Sequence, residues 1–273
     1  MCGNGLISVS TYLHEVYGIS EARFVTEIPT SRPKVRSTRV CQPYNGTVGV
    51  EVVMGPTRLV PLEFYTPRWD RQVVNHSLGI ELIPSFQVLK ELHSDLASSY
   101  TVSDDECAAL DAAWSIYITY SGEPHVVLVE QTDRQLARSA AAPMHVAYFF
   151  PPEHPRETMR PLRNIGHWLN RLTQIFPQGI NICIARRLSE PSMMEMRSFE
   201  RGILHETFAC GTGSVAAAAV ASVTQMITSS NATIIPYWVH DRPKNVEEVR
   251  LCPEGWHLTS VAEHVFSGTY ILR

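Results

Sequence analysis

The chain opens MCGNGLISVS, and far downstream it reads HETFACGTGSVAAAAV. Each stretch sets a cysteine directly before Gly-x-Gly and a run of small or apolar residues. A cysteine at the mouth of a helix meets unpaired backbone N–H groups and the positive end of the dipole, and both favour thiolate over thiol. The same N–H groups favour a bound carboxylate, and the glycines let the backbone come close to a ligand. If the two mouths face one cleft, a carboxylate lies between them with a sulfur on each face of the neighbouring carbon. Cys2 or Cys210 then removes a proton from that carbon while the other returns one, and the stereochemistry inverts. This chemistry needs no metal and no pyridoxal lysine. The cysteines have no paired zinc spacing, and lysines are few. Cys41, Cys107, Cys183 and Cys252 read as core or incidental thiols.

The elements that must position the two cysteines follow from the pattern. Residues 3–17 read as a helix with Leu6, Ile7, Val9, Leu13 and Val16 to bury and a stop near Gly18. VRSTRV, GTVGVEVVM and TRLVPLEF read as short strands. IPSFQVLKELHSDLASS has a helical period, and Ser103 before Asp-Asp-Glu is a helix start. WSIYITY and HVVLVEQ read as strands around the turn Ser121-Gly122-Glu123-Pro124. Residues 131–160 read as a surface loop or insertion. RNIGHWLNRLTQIF is helical, and INICIARRL and MMEMRSFE are strand-like. GSVAAAAVASVTQMI is a helix apolar all round, so it is expected to be buried on every side. Strands follow around TIIPYWV, EEVRL and EHVFSGTYIL. Each half thus reads as a Cys-Gly-x-Gly helix followed by strands, a faint internal repeat. The class is α+β, with strands wrapped about a central helix.

Size and charge narrow the field. The chain has 273 residues and a net charge of −4, so no strong pull toward nucleic acid or an anionic membrane is expected. There is no run of eighteen apolar residues and no leader pattern at the start, so no membrane partner is expected. The expectation is reduced thiols in a cytoplasm rather than disulfides. The Asn-x-Ser/Thr triplets at Asn45, Asn75 and Asn231 then carry no meaning.

FERGILHETFACGTGS resembles the second cysteine motif of diaminopimelate epimerases, and MCGNGLIS resembles their first. SGEPHVV is similar to that family's Gly-Asn-Pro-His turn, INICIA to its Asn-Ile strand, and EHVFSGTYI to its closing strand. The resemblance implies a cofactor-independent amino-acid epimerase or racemase that works with a thiol/thiolate pair, a small-molecule amino-acid substrate and a place in lysine biosynthesis. It implies Cys2 and Cys210 as the two bases. Gly3 and Asn4 on one helix, and Gly211 and Thr212 on the other, would bind the α-carboxylate through backbone N–H. Asn181, Glu200 and Arg201 match positions that hold the amino and distal groups, and His125 matches the turn histidine. The implied fold has two pseudo-symmetric halves, each a sheet round a helix: 1–118 with 262–273, and 119–261. The active site lies in the cleft between them, and a homodimer is compatible with it.

Three departures accompany the match. The family carries strands before its first cysteine, so the expectation here is a coding start upstream and an incomplete first half. The turn Asn is Glu123, which disfavours a distal carboxylate and favours a basic or neutral amino acid; Arg201 argues the other way unless Glu123 pairs with it. One residue is inserted between Arg201 and Glu206. Two other functions compete: an epimerase-like binding protein without activity, and an N-terminal-cysteine amidotransferase with Cys2 as nucleophile, which leaves the Cys210 motif unexplained.

Overall fold

The computed structural model describes residues 2–26, 34–44, 47–92, 102–131, 147–151, 159–239 and 246–263. The expected strand at EHVFSGTYIL lies outside them except for its first residue. The described residues form an α+β fold built on one thirteen-stranded mixed sheet. The strands are β1 (Glu21–Thr26), β2 (Lys34–Tyr44), β3 (Thr47–Gly55), β4 (Gln72–Asn75), β5 (Ile80–Ile83), β6 (Trp114–Tyr120), β7 (Pro124–Glu130), β8 (Asn181–Arg187), β9 (Met193–Glu200), β10 (His205–Thr207), β11 (Asn231–Pro236), β12 (Glu247–Cys252) and β13 (Gly255–Val261). Their order is β1-β2-β3-β13-β12-β11-β9-β8-β7-β6-β5-β4, with β10 paired to β9.

Five helices pack on this sheet: α1 (Gly3–Tyr17), α2 (Phe86–Glu91), α3 (Asp104–Ala113), α4 (Met159–Arg171) and α5 (Gly211–Val223). α1 runs over the residues its pattern predicts, and Gly18 ends it at φ 68° with its N–H bonded to the His14 carbonyl. Ser103 caps α3 with a complete capping box to Glu106. α5 buries every residue from Gly211 to Ala221, as an all-round apolar helix must.

Three expectations are corrected, and four strands are added. Only Leu6 and Ile7 among the large apolar residues of α1 are buried, while Val9, Tyr12 and Val16 stay about half exposed. The described sheet covers one flank of α1, through β2, β3 and β13, so the pattern of the helix exceeds the cover it receives. TRLVPLEF forms no strand: Arg58 makes a single bridge to Tyr120, and the chain turns at Pro61, whose carbonyl accepts from Phe64 and Tyr65. β1, β4, β5 and β13 lie in stretches to which the sequence pattern assigns no element. Within 131–160, the described residues 147–151 include Phe149 and Phe150, both fully buried against Trp114 and Tyr237.

The strand that matters most for the site is β13. It pairs with β3 on one side and β12 on the other, and so it joins the region of α1 to the region of α5. Both helices share one apolar cluster, which includes Leu6, Ile7, Val52, Val215 and Leu258. A second cluster, under α2, α3 and α4, holds Phe86, Trp168 and Phe199.

One buried ion pair ties the approach to α5 onto the sheet. Arg197 of β9 donates from Nε and Nη2 to the two Glu206 oxygens of β10, at 2.6 and 2.7 Å. Its Nη1 donates to the Phe149 carbonyl, Trp238 Nε1 donates to Glu206 at 2.7 Å, and the guanidinium lies 5.3 and 5.4 Å from the Tyr237 and Trp238 ring centres. A buried pair leaves an uncompensated charge when one partner goes. Arg197→Met is therefore expected to lose about 3–5 kcal/mol of stability. Urea unfolding followed by fluorescence measures it, and a loss below about 1 kcal/mol would show that Glu206 is satisfied without Arg197.

Candidate active site

Cys2 and Cys210 are the N-caps of α1 and α5, both in extended backbone. The two helix mouths meet. A Cβ built on Gly3 would lie 3.5 Å from the Gly211 Cα, and one on Gly211 would lie 3.3 Å from Asn4 Oδ1 and 2.6 Å from a Leu258 methyl. A side chain at 211 would have to displace the Leu258 methyl of β13 and would press on Asn4, so glycine keeps this contact close. Asn4 locks the approach by donating from Nδ2 to the Ala209 carbonyl at 3.2 Å. The N–H groups of Gly3, Asn4, Gly211 and Thr212 are thus gathered at one place.

The two thiols differ in surroundings. Cys2 is exposed, and its sulfur accepts the Gly5 N–H at 3.3 Å. Cys210 is buried. Burial, with the Glu200 carboxylate nearby, pushes its thiol up to about 12, against the pull of the Thr212 hydroxyl and the Gly213 N–H. At Cys210 burial therefore opposes the thiolate that a helix mouth favours.

Sheet register assembles the rest. β7 and β8 are parallel, with His125 opposite Asn181, and β8 and β9 are antiparallel, with Ile182 opposite Phe199. His125, Asn181, Glu200 and Arg201 therefore stand at one end of the sheet, beside the N-terminus of α5. His125 Nε2 is 3.0 Å from Thr212 Oγ1, which is 3.5 Å from Cys210 Sγ. Burial holds the His125 imidazole neutral, with its pKa down at about 3. Ser121 of the turn donates to the Thr212 carbonyl at 2.7 Å. Asn181 Oδ1 accepts the Arg201 N–H at 2.9 Å, and Glu200 accepts from the Thr207 hydroxyl at 2.8 Å.

Glu123 and Arg201 do pair, at 2.6 Å. Arg201 also donates from Nη1 to the Gln178 carbonyl at 2.9 Å, and its guanidinium lies 5.0 Å from the Phe64 ring centre. The β9–β10 turn that carries it places Leu204 at φ 49°, an uncommon backbone for a residue with a side chain. It leaves Ile203, Leu204 and Phe208 exposed at the rim.

Sequence reasoning missed three neighbours. Cys183, read as a core thiol, is buried but also lies 3.5 Å from His125 Nδ1 and 3.8 Å from Ser198 Oγ. A Cβ at Gly213 would lie 2.7 Å from Cys183 Sγ and 3.3 Å from Cys210 Sγ, so the two sulfurs share one small space. The strand alternation that puts residues 181 and 183 on one face was the available signal. Ser214 and Glu247, hydrogen-bonded beneath α5, had none, because they are far apart in sequence. Among the described residues no group of His, Cys, Asp or Glu side chains is placed to hold a metal ion. No helix among them is long and apolar enough to cross a membrane.

No family model matches the chain. It is similar to the diaminopimelate epimerase of Archaeoglobus fulgidus, 33% identical over 103 residues, which span 38% of this chain and 33% of that protein. It is similar over more of its length to the diaminopimelate epimerase of Listeria monocytogenes, 25% identical over 217 residues, 78% of this chain and 47% of that protein. The chain therefore spans less than half the length of these curated relatives. Among solved structures it resembles a phenazine biosynthesis protein of the PhzF family from Bacillus anthracis, with a TM-score of 0.51 and 13% identity, over 95% of this chain and 71% of that one. In sequence motifs and in fold, the chain is diaminopimelate epimerase-like.

Proposed function

We propose that the chain is a cofactor-independent amino-acid epimerase or racemase in which Cys2 and Cys210 exchange protons with opposite faces of one Cα. The observation that carries this reading is the meeting of two Cys-Gly-x-Gly helix mouths, so close that a Cβ added at Gly3 would touch the Gly211 Cα at 3.5 Å. Two positive helix ends aimed at one place suit an α-carboxylate, held by the N–H groups of Gly3, Asn4, Gly211 and Thr212. A carboxylate so held gathers the charge that develops when the Cα–H proton leaves.

The asymmetry of the thiols suggests their roles at the start of a turnover. Cys210 enters as the thiol, because its buried surroundings disfavour charge. Cys2, at the open mouth, is left the complementary role of the base. It takes the Cα proton and becomes a thiol, while Cys210 gives its proton to the opposite face and becomes a thiolate. Charge and protons balance, and the next turnover in the same direction needs the two thiols to exchange protons with solvent. Thr212 and neutral His125 support the transient Cys210 thiolate by hydrogen bonds rather than by charge.

The Glu123–Arg201 pair speaks to the substrate. With Arg201 engaged by Glu123, by the Gln178 carbonyl and by the Phe64 ring, a distal carboxylate meets a guanidinium already in use and a neighbouring negative charge. A neutral or basic amino acid fits better than one ending in a free carboxylate.

The test is α-proton exchange in D2O with reduced protein and separate amino acids: diaminopimelate, histidine, lysine and proline. Exchange is expected to fall by roughly 10²–10⁴ in both Cys2→Ala and Cys210→Ala. Exchange that survives in either variant at the wild-type rate overturns the two-base reading. Glu123→Gln is expected to raise the rate on a distal carboxylate relative to a neutral side chain by about tenfold, the effect of about 1.4 kcal/mol of relieved repulsion. An unchanged ratio of kcat/KM values removes Glu123 from specificity.

A further inference from the structure

Beneath the first turn of α5 lies a carboxyl group that the two-thiol chemistry does not use. Glu247, the first residue of β12, is 2% exposed and accepts a hydrogen bond from the Ser214 hydroxyl. Ser214 is fully buried, and its backbone N–H donates to the Cys210 carbonyl at 2.8 Å. Glu247 is therefore joined through one residue to the turn that carries the buried thiol. We infer that Glu247 is a positioning residue whose charge state sets how readily Cys210 gives up its proton. This rests on the reading of Cys210 as a proton-exchanging group.

The geometry leaves few competitors for this role. On the α5 side of the sheet, the titratable groups that feel Glu247 are Cys210 and, from β8, Cys183; its negative charge raises both thiols. On Cys210, Glu200 at the end of β9 is the stronger of the two carboxylates, and Glu247 adds a smaller effect to it. The next residues of β12 with charge, Glu248 and Arg250, alternate to the exposed face, where Arg250 pairs with Glu51. From β13, His257 also stands with Glu51 and Glu254. From β11, the residue opposite Glu247 is Ile234.

Burial raises the Glu247 carboxyl to about 7, against the Ser214 hydrogen bond that lowers it. The carboxyl is thus neutral in acid and negative above neutrality. In its neutral form Cys210 deprotonates more readily; in its charged form the thiol is held more tightly. Cys210 therefore gains its thiolate over a broader and flatter span of pH than a lone buried thiol. The same shift costs stability as pH rises: the unfolded carboxyl ionises from about 4.5 upward, the folded one only near 7, so stability from this group falls across that window.

The experiment is alkylation of Cys210 by iodoacetamide across pH 5.5 to about 10, without substrate, with the modified peptide quantified by mass spectrometry. In the wild-type chain the rate is expected to bend near neutrality as Glu247 ionises. In Glu247→Gln the bend disappears, and Cys210 reacts about threefold to tenfold faster above neutrality, the effect of removing one nearby like charge. Ser214→Ala, which keeps the carboxyl and removes its donor, moves the bend to higher pH and stands in if Glu247→Gln does not fold. Superimposable profiles for the wild type and a folded variant overturn the inference. Because no substrate is present, that result leaves the α-proton exchange test untouched, and a failure of exchange leaves this profile readable.

Discussion

The site depends on bringing two helix N-termini together against their own electrostatics. Each mouth carries the positive end of a dipole and unpaired N–H groups, so two mouths in contact repel unless something negative joins them. Packing and one hydrogen bond supply the hold. Leu258 of β13 sits against Gly3 and Gly211, and Asn4 reaches across to the carbonyl of Ala209. β13 is thus more than a strand in the sheet. By pairing with both β3 and β12 it sets the distance between α1 and α5, and with it the distance across the proposed cleft. A carboxylate bound between the mouths relieves the repulsion that packing otherwise has to oppose.

Around Cys210 the polar groups are hydroxyls, a thiol and a neutral imidazole: Thr212, Ser121, Ser198, Cys183 and His125. A neutral polar lining can reorganise its hydrogens when a proton moves, and it does not commit the thiol to one charge state. Charge is kept at a distance, with Glu200 at the end of β9, Glu247 below the helix, and the Glu123–Arg201 pair at the rim. In a dry site such charges act with greater effect than in water, so their placement tunes the thiol without touching it.

Two Arg–Glu pairs, whose arginines stand four positions apart, do different work. Arg197–Glu206 is fully enclosed and further satisfied by the Phe149 carbonyl and Trp238; it fixes the short strand that leads to Cys210. Arg201–Glu123 joins distant segments and is partly exposed, where its strength is moderated by solvent. Burial separates the two pairs, although their arginines come from adjoining positions of one strand and its turn.

Local patterns carried a large part of this protein. The ends of α1, the capping box at Ser103, the all-buried α5 and strands β6 to β9 are legible because their signals lie within a few residues: a cap, a glycine at positive φ, a period. The two Cys-Gly-x-Gly motifs marked two helix mouths capped by cysteine, since dipole and N–H groups belong to the helix end itself. The sequence did not reveal β13 or its partners, the half-open flank of α1, the place of Cys183 beside His125, or Glu247 under Ser214. Each of these depends on residues brought together across long stretches of chain, and register across the sheet is a property of the whole fold. The protonation of Cys210 shows the division most clearly. The motif by itself determined a cysteine at a helix mouth, which argues for thiolate; tertiary packing removed the water around it, and that desolvation, which only the fold could supply, raises the thiol.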